Sequence, residues 1–200
     1  MIIFLDIDGV VCLDGKTFNA DCVEWLNRIV MMCNTIGSPV QIVFNTAWNI
    51  HPLDHMKDRL AKAKFKFPQT VYGQTDECGG GGNPIRRWLD ANVPAGTPFL
   101  VLDDSTHHME ELWCRFARCY PKAGINHEVY EKACAIIQRN GKDRDAEILY
   151  AVHEMTTFAL WVNKASWLTY ADKAKYTQEY LGMAARFLAD PDFLVKARLA

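Results

Sequence analysis

A chain of 200 residues, half of them apolar and 23% charged, has enough hydrophobic material for one globular core and lacks the composition of a disordered protein. Its net charge of -2 supplies no global field for polyanions or anionic membranes, so any nucleic-acid contact must come from a local basic patch. Seven cysteines, an odd count without a Cys-x-x-Cys pair, argue against a zinc site or a disulfide framework and suit free thiols in a reducing cytosol.

The first apolar run, Ile2 to Leu5, is too short for a helix and ends at Asp6-Ile7-Asp8-Gly9, which predicts a buried strand followed by a turn. No basic leader precedes it, so neither a signal peptide nor a membrane span is expected, and the cytoplasm is the expected compartment. From Asn19 to Thr35, Val23, Leu26, Ile29 and Val30 recur at helical spacing, with Gly37 and Pro39 as stop signals. Val40 to Phe44 predicts a second strand ending at Asn45-Thr46. Pro52 to Lys64 reads as a helix whose Lys57, Arg59, Lys62 and Lys64 form a solvated basic face. Val71-Tyr72 fits a short strand, and Gly79 to Gly82 a flexible loop.

Pro84 suits a helix start, with Ile85, Trp88 and Leu89 on its apolar face. Phe99 to Leu102 predicts another strand, ending in Asp103-Asp104, and the chain looks helical from Met109. A boundary near Gly141 separates a core of residues 1–140 from a C-terminal helical extension of residues 141–200. Helices are expected there over about 146–164 and 170–189, packed on the core or on a second copy of the chain. Alternation of short apolar runs with helical stretches predicts an α/β fold, in three α/β/α layers around a central parallel sheet.

Three predicted strands thus end in polar residues: Asp6 and Asp8, Thr46, and Asp103 with Asp104. In an open parallel sheet such residues converge in one crevice, where four carboxylates need a cation to stay ionised. Hard oxygen donors favour Mg2+. Asp6 is the expected nucleophile toward phosphorus and Asp8 the expected acid and base, with its main-chain carbonyl toward the metal. Thr46 is expected to contact the phosphoryl oxygens, and a cation to neutralise charge in the transition state.

The segments Phe4-Leu5-Asp6-Ile7-Asp8-Gly9-Val10, Val43-Phe44-Asn45-Thr46 and Phe99-Leu100-Val101-Leu102-Asp103-Asp104 resemble the motifs of the haloacid dehalogenase superfamily over about residues 1–137. That resemblance implies a Rossmann-like fold and a phosphatase using Mg2+ and an aspartyl-phosphate, with metal ligands among Asp6, Asp8, Asp103 and Asp104. The family's motif cation is expected at Arg86, with Arg87 or Lys122 as alternatives, because the region ahead of the last motif is glycine-rich. Asn45-Thr46-Ala47-Trp48-Asn49, Val71 to Thr75 and Ile85 to Leu89 further resemble a capless group related to the phosphatase domains of RNA-repair proteins. Asn45, Thr46 and Arg86 are then the expected substrate contacts. The interval between Asp8 and Thr46 is used by one helix and leaves no room for a cap domain, so a bulky substrate such as a nucleotide or nucleic-acid end is favoured over a small metabolite.

Other readings of the same residues carry less. A calcium loop is excluded because Gly9 would be its fourth position rather than its sixth, and Thr17 stands where Glu is required. His107 and His108 suit the exposed start of a helix, and the aromatic residues of the C-terminal extension suit packing more than base stacking. A silent binding module of the same fold is the alternative of a different class, opposed by the intact carboxylates.

Overall fold

The computed structural model describes residues 1–76, 80–139, 144–164 and 168–189. The chain divides into two compact units, Met1–Gly141 and Lys142–Ala200.

The first unit is built on an all-parallel five-stranded sheet in the order β3-β2-β1-β4-β5. β1 (Ile2–Leu5) lies at its centre between β2 (Gln41–Phe44) and β4 (Phe99–Asp103). β3 (Val71–Gln74) and β5 (Phe116–Arg118) form the edges. Both faces of β1 are covered, so Ile2, Ile3, Phe4 and Leu5 are all buried, each worth roughly 1.5–3 kcal/mol of apolar transfer. That anchoring is what fixes the position of Asp6 directly beyond the strand.

α1 (Ala20–Thr35) joins β1 to β2, and α3 (Gly82–Asn92) joins β3 to β4. These crossovers step across the sheet in opposite directions, and right-handed connections therefore put the two helices on opposite faces. The expected three-layer α/β architecture is the observed one. Trp88 of α3 meets Phe4 edge-on at 5.5 Å on one face. On the other, Trp25 of α1 packs against His127 and Tyr130 of α4 (His127–Arg139). α1 starts where the Asn19 side chain accepts hydrogen bonds from the Asp21 and Cys22 amides, at 3.0 and 3.1 Å. α2 (Leu53–Lys62) follows β2.

The region after Met109 departs from expectation. Met109, Leu112, Trp113 and Phe116 have helical spacing, yet the chain forms turns, a single 3-10 turn at Trp113–Arg115 and then β5. Pairing with the exposed edge of β4 satisfies a row of backbone groups that a helix there would leave open, and tertiary pairing overrides the local pattern.

The second unit contains α5 (Arg144–Lys164) and α6 (Tyr170–Ala189). Phe158 meets Tyr180 edge-on at 4.4 Å, and Asn163 donates from Nδ2 to Thr177 Oγ1 at 2.8 Å, so the helices form an antiparallel pair. Met155, Ala159, Val162, Met183 and Ala184 are buried in it. Trp167, Asp190 and Pro191 lie outside the described residues, as does Cys78. Among the described cysteines all are free thiols. No described helix is long and apolar enough to cross a membrane.

Candidate active site at the carboxyl edge of the sheet

Strand register assembles the site. Leu5 is level with both Phe44 and Leu102, Phe44 with Gln74, and Asp103 with Arg118. The next rung is closed by the Asp6, Asn45 and Thr75 amides, which donate to Leu102, Leu5 and Phe44 carbonyls at 2.9 Å each. Thr75, Asn45, Asp6, Asp103 and Arg118 therefore stand in one row across the five strands, at the carboxyl edge where open α/β sheets bind ligands.

Carboxylate oxygens of Asp6, Asp103 and Asp104 lie within 4.8 Å of one another. Burial, reinforced by the charges of Asp104 and Asp8, pushes the Asp6 pKa up to about 7 despite hydrogen bonds from the Ile7 amide and the Thr46 side chain. Burial and then the charge of Asp6 push Asp103 well above the carboxylate range. Asp104 is also raised by burial, opposed by the charge of Arg118. Asp103 Oδ1 accepts from the Ser105 amide at 2.8 Å, whereas its buried Oδ2 has no hydrogen-bond partner. Three converging carboxylates with an orphaned buried oxygen fit a small divalent cation, which would supply the missing charge and fill that oxygen's coordination.

Asp8 stands outside this trio. Trp48 Nε1 donates to its Oδ2 at 2.7 Å, turning the carboxylate toward the turn Ala47–Ile50. Thr46 caps that turn, accepting from the Trp48 amide at 3.3 Å, and its side chain also hydrogen-bonds Asp6. Thr46 thus stands beside Asp6. Asn45 is engaged differently. Its Nδ2 donates to the Gly81 carbonyl at 3.1 Å and its Oδ1 accepts from Thr75 Oγ1 at 3.1 Å, so this fully buried side chain ties the end of β2 to the end of β3 and to the start of α3.

Gly9, at φ +70°, passes directly under Asp104, and a Cβ there would fall 2.2 Å from Asp104 Oδ2. Gly9→Ala is accordingly expected to displace the Asp104 carboxylate. A shift of about 1 Å is enough to change a rate by about 10²-fold where the displaced group takes part in chemistry. The glycine run is also a packing device rather than a flexible loop at its described end. Gly81 and Gly82 are buried, Gly82 N donates to the His107 carbonyl at 3.0 Å, and a Cβ on Gly82 would lie 1.7 Å from the His108 carbonyl oxygen. The start of α3 is thereby pressed against the segment that follows Asp103-Asp104. His107 and His108 lie in that segment, exposed and not at a helix start.

Arg86, the expected motif cation, is held by Glu111 and by Asn83 Oδ1. The Glu111 bond fastens α3 to the same segment, and Asn83, on α3 itself, also holds the guanidinium. Arg87 is exposed on α3, and Lys122 is exposed in a turn at φ 71°. The cation felt by Asp104 is Arg118, at the end of β5, which sequence reasoning missed together with that strand. Its signal was a polar residue ending the short run Phe116-Ala117, the same pattern that marks Asp103. Arg59 also departs from the solvated face expected of α2. Its guanidinium lies 4.2 Å over Trp48 and 5.2 Å over Phe18, and it donates to the Lys16 carbonyl.

A family model described as the HAD domain in Swiss Army Knife RNA repair proteins matches residues 2–129, more than half of the chain. No curated protein and no solved structure matches.

Proposed function

The chain belongs to the family of HAD domains in Swiss Army Knife RNA repair proteins, and from that premise we propose that it is a magnesium-dependent phosphomonoesterase acting on a nucleotide or nucleic-acid phosphate. The observation that carries this reading is the carboxylate trio of Asp6, Asp103 and Asp104 beside the separately oriented Asp8. Mg2+ would be held by Asp6, Asp103 and Asp104 with the Asp8 main-chain carbonyl, supplying positive charge to the phosphoryl oxygens and keeping the carboxylates ionised.

In the first step an Asp6 carboxylate oxygen bonds to phosphorus as the bond to the leaving oxygen breaks, and the Asp8 carboxyl gives that oxygen its proton. In the second, the Asp8 carboxylate takes a proton from water as the water oxygen bonds to phosphorus, and the Asp6–phosphorus linkage breaks. Thr46 holds Asp6 by its side-chain hydrogen bond. Arg118, rather than Arg86, is the cation we assign to charge neutralisation, because its charge already bears on Asp104. We assign the helical pair α5 and α6 to packing rather than to base stacking.

Trp48 holds the proton donor in place. Trp48→Phe removes the Nε1–H while keeping an aromatic ring, and is expected to slow alkyl phosphates by about tenfold or more. Aryl phosphates, whose leaving oxygens need little protonation, should be much less affected. Equal losses on both ester types would count against Asp8 as the acid. Dependence of the reaction itself on Mg2+ is tested by phosphate release from an aryl phosphate with the metal present and chelated, where turnover that survives chelation would overturn this reading.

A further inference from the structure

A pocket of about 430 Å³ opens next to the carboxylate site, lined by Gly15, Lys16, Ala47, Trp48, Ile50, His51 and Arg59. Its volume lies within the range of small-ligand sites. None of its lining residues is acidic, although the chain as a whole is slightly acidic. Trp48 links the two places. Its Nε1 edge is bonded to Asp8 Oδ2 at 2.7 Å, and the same indole forms part of the pocket wall. One side chain, Trp48, thus separates the Asp8 carboxylate from the pocket.

The lining chemistry is selective. Trp48 and His51 meet edge to face at 6.2 Å, Arg59 lies over Trp48, and the neighbouring Ile50 is 73% exposed, a large apolar side chain left uncovered at the rim. Lys16 is exposed at the pocket, on a loop held by the Arg59 guanidinium at the Lys16 carbonyl and by Asp14 Oδ1, which accepts from the Lys16 amide at 2.8 Å. Aromatic and apolar walls take nucleobases by stacking, and interleaved cations follow the phosphate backbone of a single strand.

We propose that this pocket, through Lys16, Trp48, Ile50, His51 and Arg59, binds the nucleotide next to the terminal phosphate of a single-stranded nucleic acid. The assignment rests on the phosphatase reading for the position of the terminal phosphate at Asp6. It adds where the rest of the substrate lies and why a polymer end is preferred to a small metabolite. A base occupies the apolar and aromatic wall, and Lys16 and Arg59 meet the adjoining phosphodiester.

The test uses the full chain carrying Asp6→Asn and a fluorescein-labelled single-stranded RNA octamer with a terminal phosphate, followed by anisotropy. Lys16→Glu and Ile50→Asp are then added together, since both side chains are exposed and their replacement leaves the core intact, which thermal melting checks. The expected result is a Kd at least tenfold weaker in the added variant, with a shallower dependence of binding on salt concentration. A Kd within twofold of the parent overturns the proposal, as does a phosphopeptide of matched charge binding the parent as tightly as the octamer. Aryl-phosphate turnover by the chain with native Asp6 separates the two readings. Turnover without a binding difference removes the pocket assignment alone, whereas a binding difference without turnover retains the pocket and removes the phosphatase reading.

Discussion

Replacing Asp6 with Asn is expected to lower magnesium-dependent phosphate release by on the order of 10⁴-fold or more, because an amide cannot form the acyl-phosphate on which both steps depend. The substitution is nearly isosteric and keeps an oxygen within reach of the Thr46 side chain, so the strand end has no geometric reason to move. It also removes one of three carboxylates within 4.8 Å of one another, and the metal-free protein should melt no lower than wild type. Loss of activity with retained stability, read by phosphate assay and thermal melting on the same preparation, separates a catalytic role from a structural one. A variant retaining more than about a tenth of wild-type activity would rule Asp6 out as nucleophile.

Asp103→Asn should move activity and stability in opposite directions. Burial and the charge of Asp6 hold the Asp103 pKa well above its usual value, and Asp6 itself is raised to about 7. In the metal-free fold these groups bind protons that the unfolded chain, with carboxyl pKa values near 4, has already released. Between about pH 4 and 7 the folded state therefore carries more protons, so stability falls as pH rises through that window. Metal-free wild type is accordingly expected to melt higher at pH 5 than at pH 8. Mg2+ should raise its Tm more at pH 8, where protons compete less for the carboxylates.

Asp103→Asn removes the most buried carboxyl group of the cluster, whose ionisation burial opposes, and at pH 8 without metal it should stabilise by at least about 1 kcal/mol, or about 2–4 °C in Tm. Its magnesium-dependent activity should nevertheless fall by at least on the order of 10²-fold, since the cation loses a ligand. A metal-free protein that melts higher at pH 8 than at pH 5 would contradict the assignment of these carboxylates as a cation site held together against repulsion.

Most of the sheet was legible from local pattern alone. Ile2 to Leu5 matched its strand residue for residue, and the helix expected to begin at Asn19 begins one residue later because Asn19 is its cap. Short apolar runs ending in Asp or Thr carried both the strand positions and the candidate site, since the parallel register lifts such residues to the same edge. What escaped was decided by contacts between distant segments. β5 has three residues and a helical spacing around it, so only its pairing with β4 identifies it, and Arg118 was hidden with it. Gly81 and Gly82 looked like a loop because a glycine run has the same appearance whether the backbone is loose or pressed against the His107 and His108 carbonyls. Arg59 sat on a helix face whose charges suggested solvent, and the rings it covers, Phe18 and Trp48, come from two other segments.

The most direct test of the central claim is to trap the covalent intermediate. The chain is mixed with a ³²P-labelled terminal phosphate ester in Mg2+, quenched in acid within the first turnover, and the protein is treated with hydroxylamine, which cleaves acyl-phosphates. The expected result is protein-bound label that hydroxylamine releases and that is missing from Asp6→Asn. Rapid magnesium-dependent turnover with no label on the protein, or label that persists in Asp6→Asn, would contradict it.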